Sequence, residues 1–198
     1  MKRPRLLLKK GLRDALAAAC AAHPGKRIEL WFMDEARVGQ KGSTGHRWWL
    51  RGERPRGLCD QRYDSAYIFG AVRPATGDDF ALVLPAVSIQ AMQLFLDQFA
   101  ARLAADTHAG LVLDGAGWHG SPKLLVPDNV TLLPLPPYAP ELNLIERVWL
   151  YLRERSLSHR VFAGYHAIVD ACSTAWNSLS PERLRSLTAF PWLPQISS

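Results

Sequence analysis

Cysteine is scarce in this chain. Cys20, Cys59 and Cys172 are odd in number, far apart and without a paired ligand spacing. That excludes a disulfide framework and a thiolate zinc site. Cys20 and Cys172 fall within helical patterns and read as small core residues. Long apolar runs are also missing. None approaches the roughly eighteen uninterrupted residues of a membrane-spanning helix. The basic N-terminus, Met1 to Lys10, has an apolar centre of only Leu6-Leu7-Leu8, too short for a signal peptide. A cytoplasmic protein with no membrane partner is expected. There is no internal repeat and no low-complexity tract.

What is present is an ordinary globular composition. The chain has 198 residues, of which 48% are hydrophobic and 21% charged, enough for one domain with a full core. Its formal net charge is +6 and its sequence pI is about 9.5. A basic balance favours a polyanionic partner, yet a solvated basic face explains it equally well.

Patterning gives the order of elements. Residues 1–24 predict an N-terminal helical extension, with Leu12, Leu16 and Cys20 on one face and Pro24-Gly25 closing it. Residues 25–198 form the main domain. Ile28 to Met33 is a strand ending at Asp34-Glu35, and Trp48-Trp49 lies on a second strand after a glycine-rich turn. Ala66–Val72 and Phe80–Leu84 flank a turn and form a hairpin. Ser88 caps a long helix with Ile89, Met92, Phe95, Leu96, Phe99 and Leu103 at helical spacing. Leu111-Val112-Leu113 is a buried strand ending at Asp114, a brief helix follows at 121–126, and Val130–Leu133 is another strand. A proline-rich segment leads into a helix from Glu141, on which Leu142, Ile145, Trp149 and Leu152 share a face. Helices over 165–179 and 181–189 complete the chain. Hairpins followed by alternating strands and helices predict an α/β fold, a mixed sheet flanked by helices in a ribonuclease H-like arrangement.

Three carboxylates stand out by position. Asp34 and Asp114 each follow an apolar strand, and Glu146 lies near a helix start. Strand ends and helix starts are where an open sheet meets its ligand. Three hard oxygen ligands brought together suit Mg²⁺ or Mn²⁺, and two such ions promote phosphodiester chemistry. Placement alone leaves a second reading open, in which the aspartates form turns and the glutamate is a solvated charge.

The segments Phe32-Met33-Asp34-Glu35-Ala36-Arg37, Leu111 to His119 and Leu135 to Glu146 resemble the three signature blocks of the mariner-type transposase superfamily, particularly its bacterial insertion-sequence branch. The third block, Pro136-Pro137-Tyr138-Ala139-Pro140-Glu141-Leu142-Asn143 with Ile145-Glu146 and then Arg147-Val148-Trp149, is the most specific. The resemblance runs from about residue 28 to 180. It implies a catalytic domain in which Asp34 bridges two Mg²⁺ or Mn²⁺ ions while Asp114 and Glu146 each hold one. It further implies DNA cleavage at transposon ends, then strand transfer into target DNA, usually at a TA dinucleotide. A homodimer is implied as well. Two positions depart from the family pattern: Gly115 replaces an Asn and Leu144 replaces a Pro. Neither removes a carboxylate.

Several other residues invite a role. Glu35 points away from Asp34 on the strand and reads as a structural partner, to Arg37 for example. Glu141 reads as a helix-start acid. His119 matches a family position and reads either as a contact to the scissile phosphate or a ligand-orienting group, or as a hydrogen-bonded surface histidine. Arg47, Trp48, Arg51, Arg54 and Arg56 mix aromatic and positive groups before the third strand, a candidate DNA contact whose bland alternative is a solvated loop. Relatives carry helix-turn-helix modules ahead of the catalytic domain, and here about thirty residues precede Asp34. A separate N-terminal helix-turn-helix part is therefore expected. Two competing functions remain at this point: a ribonuclease H-like nuclease without strand transfer, and an inactive DNA-binding remnant.

Overall fold

A computed structural model describes residues 14–40, 51–52, 62–119, 121–136, 142–158 and 160–189. Five strands form one mixed sheet: β1 (Arg27–Gly39), β2 (Ser65–Arg73), β3 (Asp78–Leu84), β4 (Thr107–Leu113) and β5 (Val130–Pro134). Their spatial order is β3-β2-β1-β4-β5. β1, β2 and β3 run antiparallel in sequence, while β4 and β5 are parallel to β1. Helix α1 covers 14–22. It is followed by α2 (Ile89–Arg102), α3 (Glu146–Leu152), α4 (Tyr165–Asn177) and α5 (Pro181–Thr188). A π-helical turn, Arg153–Leu157, extends α3. This is the expected ribonuclease H-like mixed sheet flanked by helices.

Alternation along the strands divides the core in two. On one face Leu30, Phe32, Ile68 and Val112 pack with Trp149, Leu152, Ile168 and Trp176, and Leu16 of α1 joins them. On the other, Trp31, Met33, Phe69 and Leu111 pack with Phe95, Leu96 and Phe99 of α2. β1 lies at the centre and is covered on both faces, so it is apolar from Leu30 to Met33 rather than alternating. Ser88 caps α2 as expected, its hydroxyl accepting from the Ala91 N–H at 3.1 Å. Gly77 takes φ of 80° in the tight connection between β2 and β3, a conformation that disfavours other residues.

Four expectations need correction. β1 does not end at Asp34 but continues to Gly39, because β2 keeps pairing with it as far as Gly39 against Ser65. No helix forms over 121–126. The Gln93 side chain both accepts from Leu125 N–H and donates to its carbonyl, each at 2.8 Å, and the residue before Pro127 resists helical geometry. The α-helix expected from Glu141 starts at Glu146, preceded by tight turns such as Glu146 N–H to Asn143 O at 3.2 Å. Cys20 is exposed, since α1 turns Leu16 and Ala19 to the core instead. Cys172 is fully buried, as expected. Among the described residues no helix is long and apolar enough to cross a membrane.

Candidate active site

Asp34 and Asp114 come together through strand register. β1 pairs in parallel with β4 up to Phe32 against Val112. Two residues further on each strand lie Asp34 and Asp114. β4 stops at Leu113 while β1 runs on, so the pair sits at the carboxyl end of the parallel strands. Such an end is where open α/β sheets place ligands.

Asp34 lies on the face that packs against α3. Its Oδ2 accepts a hydrogen bond from Trp149 Nε1 at 3.0 Å. Trp149 is 2% exposed, so this contact is shielded from water. Burial is the largest influence on Asp34 and raises its pKa to about 7. The Glu35 N–H and the Trp149 ring oppose the rise, while the charges of Glu146 and Glu35 add to it. A half-buried carboxylate is thus held beside two other acids.

Glu146 opens α3 without a side-chain cap. Asn143 places this turn: its Nδ2 donates to the Met33 carbonyl at 2.8 Å, tying the approach to α3 to the backbone next to Asp34. Asn143 is 2% exposed. In the sequence Asn143 is simply part of the third block, with no role of its own. Its position three residues before Glu146 was the available signal. Leu144, where the family pattern has Pro, is 1% exposed and packs in the core.

Asp114 is half exposed, with its side chain 50% accessible. Its Oδ1 accepts from Ala116 N–H at 3.0 Å and faces His119 Nδ1 at 2.9 Å. His119 Nδ1 also lies 3.0 Å from the Asp114 carbonyl, and its Nε2 lies 2.9 Å from Glu35 Oε1. Both ring nitrogens face oxygen acceptors, an arrangement that favours the doubly protonated ring. Burial lowers the His119 pKa, but the Glu35 hydrogen bond and charge and the contacts with Asp114 together leave it raised. His119 is therefore not a surface histidine, being 3% exposed. Glu35 pairs with His119 and with Trp118, whose Nε1 donates to it at 3.1 Å, rather than with Arg37.

The donor set suits a hard divalent cation in its chemistry: carboxylate oxygens, with two negative neighbours acting on Asp34. Its spacing is looser than a formed centre. Among the described residues, no three Asp, Glu, His or Cys side chains stand close enough to hold a metal ion. Arg51 is exposed in a turn. Arg47, Trp48, Arg54, Arg56 and Glu141 lie outside the described residues.

The sequence pattern of one family, described as DDE superfamily endonuclease, matches residues 29–168. The chain belongs to the DDE superfamily endonuclease family. The match takes in Asp34, Asp114 and Glu146. A 129-residue stretch is 47% identical to an uncharacterized protein of Sinorhizobium fredii, y4pE/y4sA, covering 64% of this chain and 96% of that protein. Among solved structures, the fold of this DDE superfamily member is similar to the Mos1 mariner paired end complex with Mn. The TM-score is 0.67 at 13% identity, over 91% of this chain and 56% of that one. The catalytic domain of Mos1 mariner transposase gives a TM-score of 0.52 at 13% identity, over 95% of this chain and 88% of that domain. The chain thus spans little more than half the length of the transposase in the paired end complex.

Proposed function

We propose that this chain is the catalytic domain of a cut-and-paste DNA transposase, with Asp34, Asp114 and Glu146 as its metal-binding carboxylates. The observation that carries the reading is the β1–β4 register, which brings Asp34 and Asp114 to the same end of adjacent parallel strands. The influence of Glu146 on Asp34 supports the third member, and membership of an endonuclease family supplies the reaction class.

Two Mg²⁺ or Mn²⁺ ions, when bound, activate the attacking hydroxyl and stabilise the leaving oxygen of a phosphodiester. The chain's own residues supply position and charge. Asp34 presents its carboxylate from a rigid central strand, oriented by Trp149. Asp114 is oriented by Ala116 and His119. Glu146 is delivered by a helix start whose approach is held by Asn143. Rigid placement of this kind lowers the entropic part of the barrier. The substrate is DNA: transposon ends first, then a target, with TA as the proposed sequence. A homodimer, a separate N-terminal helix-turn-helix part and a cytoplasmic setting complete the proposal.

The test begins with calorimetric titration of Mn²⁺ into the wild type and an Asp114→Asn variant, both with a short DNA duplex present. Binding that the variant loses supports the metal site. The next assay asks whether an oligonucleotide 3′-hydroxyl is joined to plasmid DNA. Joining supports a transposase, cleavage without joining supports a nuclease, and neither activity nor Mn²⁺ binding overturns the reading.

A further inference from the structure

Glu35 is an unexpected neighbour for a metal site. It is acidic, its side chain is only 6% accessible, and it faces the opposite side of β1 from Asp34. Its Oε1 takes two ring donors, His119 Nε2 at 2.9 Å and Trp118 Nε1 at 3.1 Å. Both rings belong to the short segment after β4. That segment closes on itself through His119 N–H to the Ala116 carbonyl at 2.9 Å. The second nitrogen of His119 then faces Asp114, hydrogen-bonded to its carbonyl and 2.9 Å from Oδ1. A chain of contacts therefore runs from β1 through Glu35 and His119 to the carboxylate at the tip of β4.

The geometry points to Glu35 and His119 as a paired positioning clamp that fixes the Asp114 carboxylate for cation binding, presenting Oδ2 by occupying Oδ1. The hydrogen bond from Ala116 N–H and the 2.9 Å contact with His119 Nδ1 both fall on Oδ1. The side chain is nonetheless half exposed, which leaves Oδ2 room to meet a cation. Without the clamp Asp114 would rest on an exposed turn rich in glycine, Gly115 and Gly117, neither of which meets a neighbouring atom at its Cβ position. Such a turn holds a side chain poorly. Neither clamp residue is itself placed against the cation or the DNA. Groups that orient a ligand in this way typically change metal affinity by roughly ten- to a hundredfold when removed.

The inference rests on the proposed role of Asp114 and is separable from it. Mn²⁺ affinity is measured by calorimetry, with a short DNA duplex present, for the wild type, Asp114→Asn, Glu35→Ala, His119→Ala and the double alanine variant. Folding is checked by circular dichroism. The expected result is loss of binding in Asp114→Asn, a roughly ten- to hundredfold weaker affinity in each alanine variant, and no further loss in the double variant, because the two act as a unit. Glu35→Gln keeps an acceptor oxygen for both rings and is expected to restore affinity to within about threefold of the wild type. Should the alanine variants unfold, Glu35→Gln and His119→Gln decide between the outcomes: Gln at 35 retaining affinity while Gln at 119 loses it supports the clamp. A folded His119 variant with wild-type affinity overturns the clamp while leaving the metal site standing. A wild type that takes up no Mn²⁺ overturns both.

Discussion

Asp34 sits directly opposite Gly70 in the antiparallel ladder, and the space that Gly70 leaves is filled by the rings of Trp149 and Trp176. A Cβ on residue 70 would lie 2.6 Å from Trp176 and 2.7 Å from Trp149. These rings are themselves 5.6 Å apart. One donates to Asp34 and the other to Asp79 Oδ1 at 2.6 Å. The absence of a side chain at one position thus allows a buried tryptophan to reach a candidate catalytic carboxylate.

Gly70→Ala is accordingly expected to destabilise the fold by about 1–3 kcal/mol, the usual cost of overfilling a packed core. DNA cleavage should fall too, because the displaced ring is the one that orients Asp34. Denaturant unfolding beside a plasmid-nicking assay tests both. A fully stable, fully active variant would show that the two rings are not fixed as described.

Trp149→Phe keeps an aromatic ring but removes the donor to Asp34. The lost hydrogen bond to an ionisable group predicts a destabilisation of about 1.5–3 kcal/mol. Because the Trp149 ring favours the charged carboxylate, its loss should also move the pH dependence of Mn²⁺ binding upward. Calorimetry at several pH values reads that shift, and an unchanged profile would remove Trp149 from the site.

The raised Asp34 pKa gives a signed prediction for stability. Between its ordinary value of 3.8 and about 7, the folded state binds more protons than the unfolded state. Stability from this group is therefore full at low pH and is lost as pH rises through about 7. Asp34→Asn lacks that loss. In chelator, the variant should melt several degrees higher than the wild type at pH 8, with the difference shrinking towards pH 4. Its cleavage activity should be abolished. Mn²⁺ should raise the wild-type melting temperature but not that of the variant. A variant that melts lower at pH 8 would mean that Asp34 is not held against its charge.

His108 predicts the opposite dependence at the other end of β4. It is 2% exposed, stacks on His23 at 3.7 Å and contacts Thr131 Oγ1 at 2.8 Å. Burial, followed by the charges of His23 and Lys26, lowers its pKa. The unfolded state then binds more protons, so stability is full above the ordinary histidine value of about 6.5 and falls as pH drops below it. Replacing His108 with Gln should flatten melting temperature against pH between about 5 and 7. A slope equally steep in the variant would assign the effect elsewhere.

Asn143→Ala removes the donor to the Met33 carbonyl. A buried carbonyl left without its partner costs about 1–3 kcal/mol, and Glu146 loses the tie that holds its helix start beside Asp34. Cleavage is expected to fall by more than the loss of folded protein accounts for. Activity measured per folded molecule, well below the melting temperature, distinguishes this from simple destabilisation. Unchanged specific activity would confine Asn143 to a structural role.

The sequence by itself determined the elements and their order wherever local signals were strong. Ser88 marks the start of α2, the β2–β3 hairpin follows from its turn residues, and Leu142, Ile145, Trp149 and Leu152 are all buried as their spacing implies, although only the last two lie on α3. The sequence also singled out Asp114 and Glu146 by their places after a strand and at a helix start, and Asp34 through its signature block, since β1 itself runs on past Asp34. Only the tertiary structure decided how far β1 runs, since the pairing that carries it past Asp34 comes from β2, some thirty residues away. The same holds for 121–126, held extended by Gln93 of another helix. The partners of Glu35, the burial of His119, the tie made by Asn143 and the gap at Gly70 share one cause. Each depends on two segments meeting across the sheet, and patterns of three or four residues carry no record of what lies on the far side of a core.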